Sequence, residues 1–150
     1  MVERGGPADI PDDATPAEAS AGTTARRHDA PAVTIFVCTT CRRSGEGLPS
    51  VDGSILADAT AAAPLPDGVA VKGVRCLANC KRSLSAAMVR RDGWTYVFGD
   101  LSPDAAPDLI EGARLLGAAS DGLMPWRGRP DSLKRGMVAR IPPLSLPEEP

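Results

Sequence analysis

The chain has 150 residues, of which 24% are charged and 3% aromatic, and it carries a net charge of −2 at pH 7. This length is typical of one domain, and the acidic balance and the scarcity of aromatic side chains argue against nucleic-acid binding. No stretch approaches the roughly eighteen apolar residues of a membrane-spanning helix. We therefore expect a cytoplasmic protein that binds neither nucleic acid nor a membrane.

The first 31 residues differ in composition from the rest of the chain. They are rich in Ala, Pro, Gly, Thr and Asp, with almost no large apolar side chain, so they cannot offset the entropy lost on ordering. They also lack the apolar run of a secretory signal. We predict a disordered tail over 1–31, a folded domain over 32–120, and a Pro- and Arg-rich C-terminal extension over 121–150 that packs on the domain.

Apolar periodicity in the domain predicts an α/β fold with the element order β-α-β-β-β-α. The β-branched run AVTIFVC indicates a buried strand that leads into Cys38, and GVAVKGVRC indicates a second strand that ends at Cys76. Between them, helical spacing predicts a helix that stops at Pro64. The predicted apolar face of this helix consists of Ile55, Leu56, Ala59, Ala62 and Ala63.

The runs LSAAMVRR and WTYVFGD predict a β-hairpin with an Asp-Gly turn at 92–93. A helix should follow, with Ser102 as its N-cap and Pro103 in its first position. Pro107 should delay its regular part, and Gly117 is the expected C-cap. The predicted apolar face consists of Ala106, Leu109, Ile110, Ala113 and Leu116.

Basic residues concentrate behind the cysteines and in the C-terminal extension. The first set, directly after the cysteine pairs, consists of Arg42, Arg43, Lys81 and Arg82. The second set lies between 127 and 140, with Asp131 the only acid among its members, and we interpret it as solvated surface. In the same extension we expect one helical turn around 132–135, and we expect Trp126 to cover part of the core.

The only histidine, His28, lies in the tail. The domain therefore lacks the imidazole of a Ser-His-Asp triad, a Cys-His nucleophile pair, or a His-ligated zinc or haem. Its chemistry must depend on thiolates, on carboxylates, or on a cofactor that they hold. An electron carrier or a metal-binding protein fits these residues better than an enzyme.

The four cysteines form two close pairs, each in a loop that follows a predicted strand. Cys38 and Cys41 are spaced C-x2-C, and Cys76 and Cys80 are spaced C-x3-C. If the two strands are neighbours in one sheet, the loops share an edge and the four sulfurs can converge. Disulfides do not suit a chain without an export signal, and paired loop thiols are more often metal-binding or catalytic than inert.

Three functions remain open on this basis. A zinc site with four cysteine ligands suits C-x2-C better than C-x3-C. A thioredoxin-type dithiol suits CTTC between a strand and a helix, but it leaves the second pair without a role. A [2Fe–2S] cluster needs two ligand pairs, one for each iron. The basic residues behind the cysteines would then raise its potential and offer a docking face to an acidic redox partner.

The segment CLANCKRSLSAAMVRRDGWTYVFGDLSPDAAPDLIEGARLL resembles the second half of thioredoxin-like [2Fe–2S] ferredoxins. It shares with them a C-L-x-x-C loop, an aromatic hairpin strand and an S-P-x-x-x-P helix start. The resemblance covers about residues 33–117, although the first cysteine pair is closer than is usual in that family. It implies a thioredoxin-like fold with a small mixed four-stranded sheet and flanking helices. It also implies that the cluster ligands are Cys38, Cys41, Cys76 and Cys80.

The whole domain, including CTTCRR, WTYVFGDL, MPWR and ARIPP, is more closely similar to an uncharacterised bacterial family called "predicted metal-binding protein". That resemblance implies a bound metal centre and an association with cobalamin-synthesis and cobalt-insertion genes. We therefore expect a [2Fe–2S] electron-transfer protein whose partner has an acidic docking face, and a homodimer stays open. The alternatives are a non-redox protein that holds zinc or delivers a metal, and a thiol–disulfide oxidoreductase.

Overall fold

Five strands and three α-helices make up the described part of the chain, residues 30–42 and 52–147 of a computed structural model. The strands are β1 (Val33–Cys38), β2 (Val69–Val74), β3 (Ala86–Arg90), β4 (Thr95–Phe98) and β5 (Met137–Ile141). The helices are α1 (Asp52–Ala62), α2 (Ala106–Ala118) and α3 (Asp131–Arg135), with a short 3-10 helix at Cys80–Arg82. The predicted tail lies outside the described residues except for its last two, and the predicted domain boundaries stay a prediction.

The strands form one mixed sheet in the order β2-β1-β3-β4-β5. β1 and β2 are parallel, and every other neighbouring pair is antiparallel. The predicted α/β class and the element order β-α-β-β-β-α are confirmed. The strand number is corrected from four to five, because the C-terminal extension supplies β5 as well as the expected helical turn. β5 is stabilised by its pairing with β4. This contact is non-local, so the short run MVARI does not by itself predict a strand.

The core lies between one face of the sheet and the helices α1 and α2. Val33, Ile35 and Val37 alternate along β1 on this face and are fully buried, as the period-2 pattern predicts. Facing them are fully buried leucines of the helices: Leu56, Leu109 and Leu116. Burial of each such side chain contributes about 1.5–3 kcal/mol.

Helix α1 exists as predicted, but of its predicted apolar face only Leu56 is buried. Ile55 is 49% exposed, whereas the buried residues are Gly53, Leu56, Ala57 and Thr60. The hydroxyl of Thr60 donates to the carbonyl of Leu56 at 2.6 Å, which satisfies a polar group in the core. The orientation of the helix follows from the close approach of Gly53 to the Cys38 carbonyl, which hydropathy alone does not reveal.

Helix α2 begins and ends later than predicted. It begins at Ala106 with Ala105 as N-cap, so Ser102 is not the cap. The backbone carbonyl of Ser102 accepts a turn hydrogen bond from the Ala105 N–H at 3.0 Å. Pro107 thus lies in the first turn, where a missing N–H costs nothing. The helix ends at Ala118 rather than at a Gly117 cap. Ile110 is only half-buried, while Gly112 is buried against Leu133 of α3, which the sequence did not predict to pack there.

The hairpin of β3 and β4 is confirmed, although residues 91–94 connect the strands rather than the predicted two-residue turn. The prediction that Trp126 covers part of the core is wrong, because its side chain is 60% exposed. The aromatic residue that is buried in the core is Tyr96 of β4, whose hydroxyl accepts a hydrogen bond from the Met124 N–H at 2.9 Å. Across residues 30–42 and 52–147, no helix combines the length and the hydropathy that spanning a membrane requires.

Candidate functional site

Strands β1 and β2 bring the two cysteine-bearing loops to the same edge of the sheet. We call residues 38–42, which begin with the last residue of β1, the first cysteine loop and residues 75–82 the second. The strands are parallel with Cys38 opposite Val74, so the loops leave the sheet side by side. The N–H and the hydroxyl of Thr39 both donate to the Val74 carbonyl, at 2.8 and 3.1 Å. The loops are therefore joined at their base, as the sequence analysis required for a shared site.

Two further hydrogen bonds join the loops beyond the sheet. The Thr40 hydroxyl donates to the Arg75 carbonyl. The Ser83 hydroxyl, directly after the second loop, donates to the Arg42 carbonyl at 2.7 Å. Both bonds use side chains of one segment and backbone of the other, so they determine the separation of the loops without involving a cysteine.

Ser85 is a fully buried polar residue at the junction of the loops. Its carbonyl accepts a hydrogen bond from the Cys38 N–H at 3.0 Å, and its hydroxyl lies 3.0 Å from the side-chain nitrogen of Asn79. Its N–H and hydroxyl also act to lower the pKa of the Cys41 thiol. Sequence reasoning missed Ser85. The available signal was a lone hydroxyl within the apolar run LSAAMV, since a buried hydroxyl requires polar partners.

Cys38 and Cys41 form a buried thiol pair in which each thiol shifts the pKa of the other. Burial raises the pKa of Cys38, but hydrogen bonds from Cys41, from the Leu77 and Thr40 N–H groups and from the Thr40 hydroxyl outweigh it, so the net pKa lies below its ordinary value. Burial, together with the neighbouring Cys38, raises the pKa of Cys41 to about 11. Cys38 is therefore the first of the two to ionise as pH rises.

Cys76 and Cys80 are exposed in the second loop. The Ala78 N–H donates to the Cys76 sulfur at 3.2 Å, and Cys80 begins the 3-10 helix. All four cysteines lie in the described ranges, and none forms a disulfide. Among residues 30–42 and 52–147, however, no three His, Cys, Asp or Glu side chains come together in a group that could hold a metal ion. The structure thus brings together two adjacent loops, one with a buried pair and one with an exposed pair.

The basic residues behind the cysteines have different environments. Arg42 and Lys81 are exposed, whereas Arg43 lies outside the described residues. Arg82 forms an ion pair with Asp100 at 2.7 Å, so a carboxylate offsets its charge. The exposed Arg75, directly before Cys76, is a cation beside the site that sequence reasoning did not include.

Residues 35–143 match the family model described as "Protein of unknown function (DUF1636)". The chain belongs to this family. The match covers both cysteine loops, the hairpin and the C-terminal strand. The DUF1636 description assigns no activity, so the metal binding implied by the sequence resemblance stays a prediction. None of the curated proteins matches the chain.

Two solved structures are similar to this DUF1636 protein. A thioredoxin-like [2Fe–2S] ferredoxin from Aquifex aeolicus is 15% identical with a TM-score of 0.49, over 78% of this chain and 99% of the ferredoxin. The wild-type form of that ferredoxin, in a second structure, is 14% identical with a TM-score of 0.45, over 73% of this chain and 99% of its own. The similarity concerns the path of the chain and does not extend to what this DUF1636 protein binds.

The different burial of the two cysteine pairs predicts their reactivity in reduced, metal-free protein. Iodoacetamide is expected to modify the exposed Cys76 and Cys80 well before Cys38 and Cys41. Because the thiolate is the reacting form, modification of the buried pair should begin at Cys38 and reach Cys41 only as pH approaches about 11. Peptide mass spectrometry of a time course measures each site. Equal rates at all four cysteines would contradict the described burial.

Proposed function

We propose that the four cysteines hold one [2Fe–2S] cluster and that the protein is a one-electron carrier. The observation that carries the proposal is the contact between the second cysteine loop and the Cys38 sulfur. The Cys38 thiol donates to the Arg75 carbonyl at 3.8 Å, and the Leu77 N–H lowers the pKa of the same thiol. The loop that bears Cys76 and Cys80 therefore already touches the first cysteine pair.

The side chains available as ligands are of the type that such a cluster takes. Iron–sulfur clusters of this type take four cysteine thiolates, and the chain has four cysteines, two on each loop. Cys38 and Cys41 would be one ligand pair, and Cys76 and Cys80 the other. When bound, the cluster supplies a centre that accepts and releases one electron. The proposal includes a cytoplasmic location, because thiols stay reduced there.

Hydrogen bonds from the protein would adjust the potential of the proposed centre. The N–H groups of Thr40 and Leu77 lower the pKa of Cys38, and Ser85 acts to lower that of Cys41, so each stabilises the thiolate form. Donors at a ligating sulfur stabilise negative charge, so they favour the reduced state and raise the potential. The exposed cations Arg42 and Lys81 act in the same direction.

Protein purified without oxygen is expected to be reddish-brown, to contain about two iron atoms per chain, and to give an EPR signal only after one-electron reduction. The four-thiol site with no imidazole in the domain is the reason for this expectation. Metal analysis, visible absorption and EPR spectroscopy of freshly isolated protein are the measurements. Stoichiometric zinc with a featureless visible spectrum would contradict the proposal and favour the zinc alternative.

The opposite pKa shifts of Cys38 and Cys41 favour a second candidate, a thiol–disulfide oxidoreductase. The pKa of Cys38 lies below its ordinary value and that of Cys41 above it, as in a nucleophilic thiol beside a resolving thiol. Disulfide exchange also needs access to the attacking sulfur. Cys38 is 2% exposed and Cys41 5% exposed, so the geometry supports this candidate less well than the cluster.

A further inference from the structure

Trp126 is an exposed aromatic residue outside the proposed cluster site. Its side chain is 60% exposed. The guanidinium carbon of Arg129 lies 5.2 Å from the centre of the indole ring, and the ammonium nitrogen of Lys134 lies 5.3 Å from it. Both distances are within the range of cation–π interactions. The indole is therefore held at the surface between two positive charges.

Arg129 anchors this indole to the core. It is 7% exposed, and its guanidinium donates to the carbonyls of Met124 and Pro125. The same group lies 5.6 Å from the ring centre of the buried Tyr96. Because the supporting cation is fixed by these contacts, Trp126 loses little conformational freedom if another molecule binds to it.

Three cations belong to the same surface as Trp126. They are Arg127, which follows it in the chain, Lys134, which lies against its ring, and Arg135, the next residue of α3; together with Trp126 we call them the Trp126 surface. None of the three forms an ion pair with a residue of 30–42 or 52–147, in contrast to Arg82 with Asp100 and Arg114 with Glu111. The acids at α3 are Asp131 at its N-terminal end and Asp108, which accepts a hydrogen bond from the Ser132 hydroxyl at 2.7 Å. The three cations outnumber these two acids, so the surface has an excess of positive charge.

The Trp126 surface is continuous with the second cysteine loop. The Arg82 guanidinium donates to the Arg135 carbonyl at 3.3 Å. Directly after α3, the Gly136 carbonyl accepts from the Gly99 N–H at 2.7 Å, and the neighbouring Asp100 N–H donates to the Arg82 carbonyl at 2.7 Å. The C-terminal end of α3 thus lies against the 3-10 helix that Cys80 begins.

We infer that the Trp126 surface docks the acidic face of a partner protein beside the second cysteine pair. Tryptophan is enriched among the residues that carry binding energy at protein interfaces, typically inside a ring of other contacts. Unpaired cations around it match carboxylates on a partner and discriminate against basic proteins. The identity of this partner as a redox protein rests on the proposed function, whereas the acid-binding surface itself does not.

Binding of a fluorescein-labelled poly-L-glutamate peptide to the full-length protein tests the inference, with fluorescence anisotropy at low salt as the measurement. The Trp126→Ala variant and the Lys134→Glu, Arg135→Glu double variant are each expected to weaken binding about tenfold or more. Trp126→Phe should retain most of the affinity, because an aromatic ring remains for the cations. Lys72→Glu is the matched control, since Lys72 is an exposed cation on β2, at the opposite edge of the sheet from β5.

An equal loss of affinity in the Lys72→Glu variant would overturn the inference, because binding of the peptide would then depend on net charge alone. An unchanged affinity in the Trp126→Ala variant would overturn it as well. Tighter, Trp126-dependent binding of single-stranded DNA or of phosphatidylserine vesicles would assign the surface to a different class of ligand. Iron content and EPR are measured on the same samples. Protein without iron that still binds the peptide through Trp126 would contradict the proposed function and would still support the docking surface.

Discussion

Replacing Cys76 and Cys80 together by serine is expected to remove the iron and the visible absorption from the purified protein. Serine does not supply a thiolate, and a bound metal centre draws its stability from the complete ligand set. Both side chains are exposed, so the substitutions leave no cavity and the core should stay folded. Iron analysis and visible spectra of the variant measure the loss, and circular dichroism verifies the fold.

The double variant also separates the cluster from the dithiol. If Cys38 and Cys41 acted as a redox pair, they would still reduce the disulfides of insulin after Cys76 and Cys80 are replaced. We expect no insulin reduction by the wild-type protein or by the variant. Single replacement of Cys76 or of Cys80 should already make the centre labile. Full iron retention in the double variant would refute a site shared by both loops.

The second large effect is expected from Gly53→Ala, which should destabilise the fold by about 1–3 kcal/mol and lower the iron content. A Cβ atom at Gly53 would lie 2.2 Å from the Cys38 carbonyl oxygen and 3.0 Å from the Cys41 nitrogen. Both neighbours are backbone atoms of the first cysteine pair, so they can move away only if the cysteines move too. The Gly53 N–H also donates to the Cys41 carbonyl at 3.0 Å, and this bond would be strained by the same displacement.

Gly117→Ala is the matched control for this variant. Gly117 lies inside helix α2, and a Cβ atom there would be 3.5 Å from a methyl group of Val33, an ordinary contact. Alanine favours the helix over glycine by about 0.5–1 kcal/mol, so this variant should be as stable as the wild type or slightly more stable. Urea unfolding and iron per chain measure both variants. A Gly53→Ala protein with wild-type stability and full iron content would contradict the described packing.

Contacts between segments far apart in the sequence account for the features that prediction missed. Arg82 follows a cysteine and was expected to act as a free cation, but Asp100, 18 residues later, pairs with it. Ser85 gains its role only because β1 places the first cysteine loop against it. The sequence of each segment contains no information about which partner it meets, so neither contact could be inferred from spacing.

The sequence by itself determined the elements whose signals are local. A β-branched apolar run predicted β1, apolar runs on both sides of Asp-Gly predicted the hairpin, and helical spacing predicted α1 and α2. The cysteines lie at the ends of β1 and β2 as predicted, although Cys38 is the last residue of β1 and only the other three lie in loops. These predictions succeeded because a strand or helix must place its apolar residues at a fixed period to bury them.

Only the tertiary structure decided the rest. β5 becomes a strand because β4 offers an unpaired edge. The buried face of α1 follows from the approach of Gly53 to the first cysteine loop, and the exposed Trp126 lies against Arg129 and Lys134 of the C-terminal extension. In each case the local structure depends on which distant surface is available for packing, or which distant strand edge for pairing. A short stretch of sequence carries no information about that surface or edge.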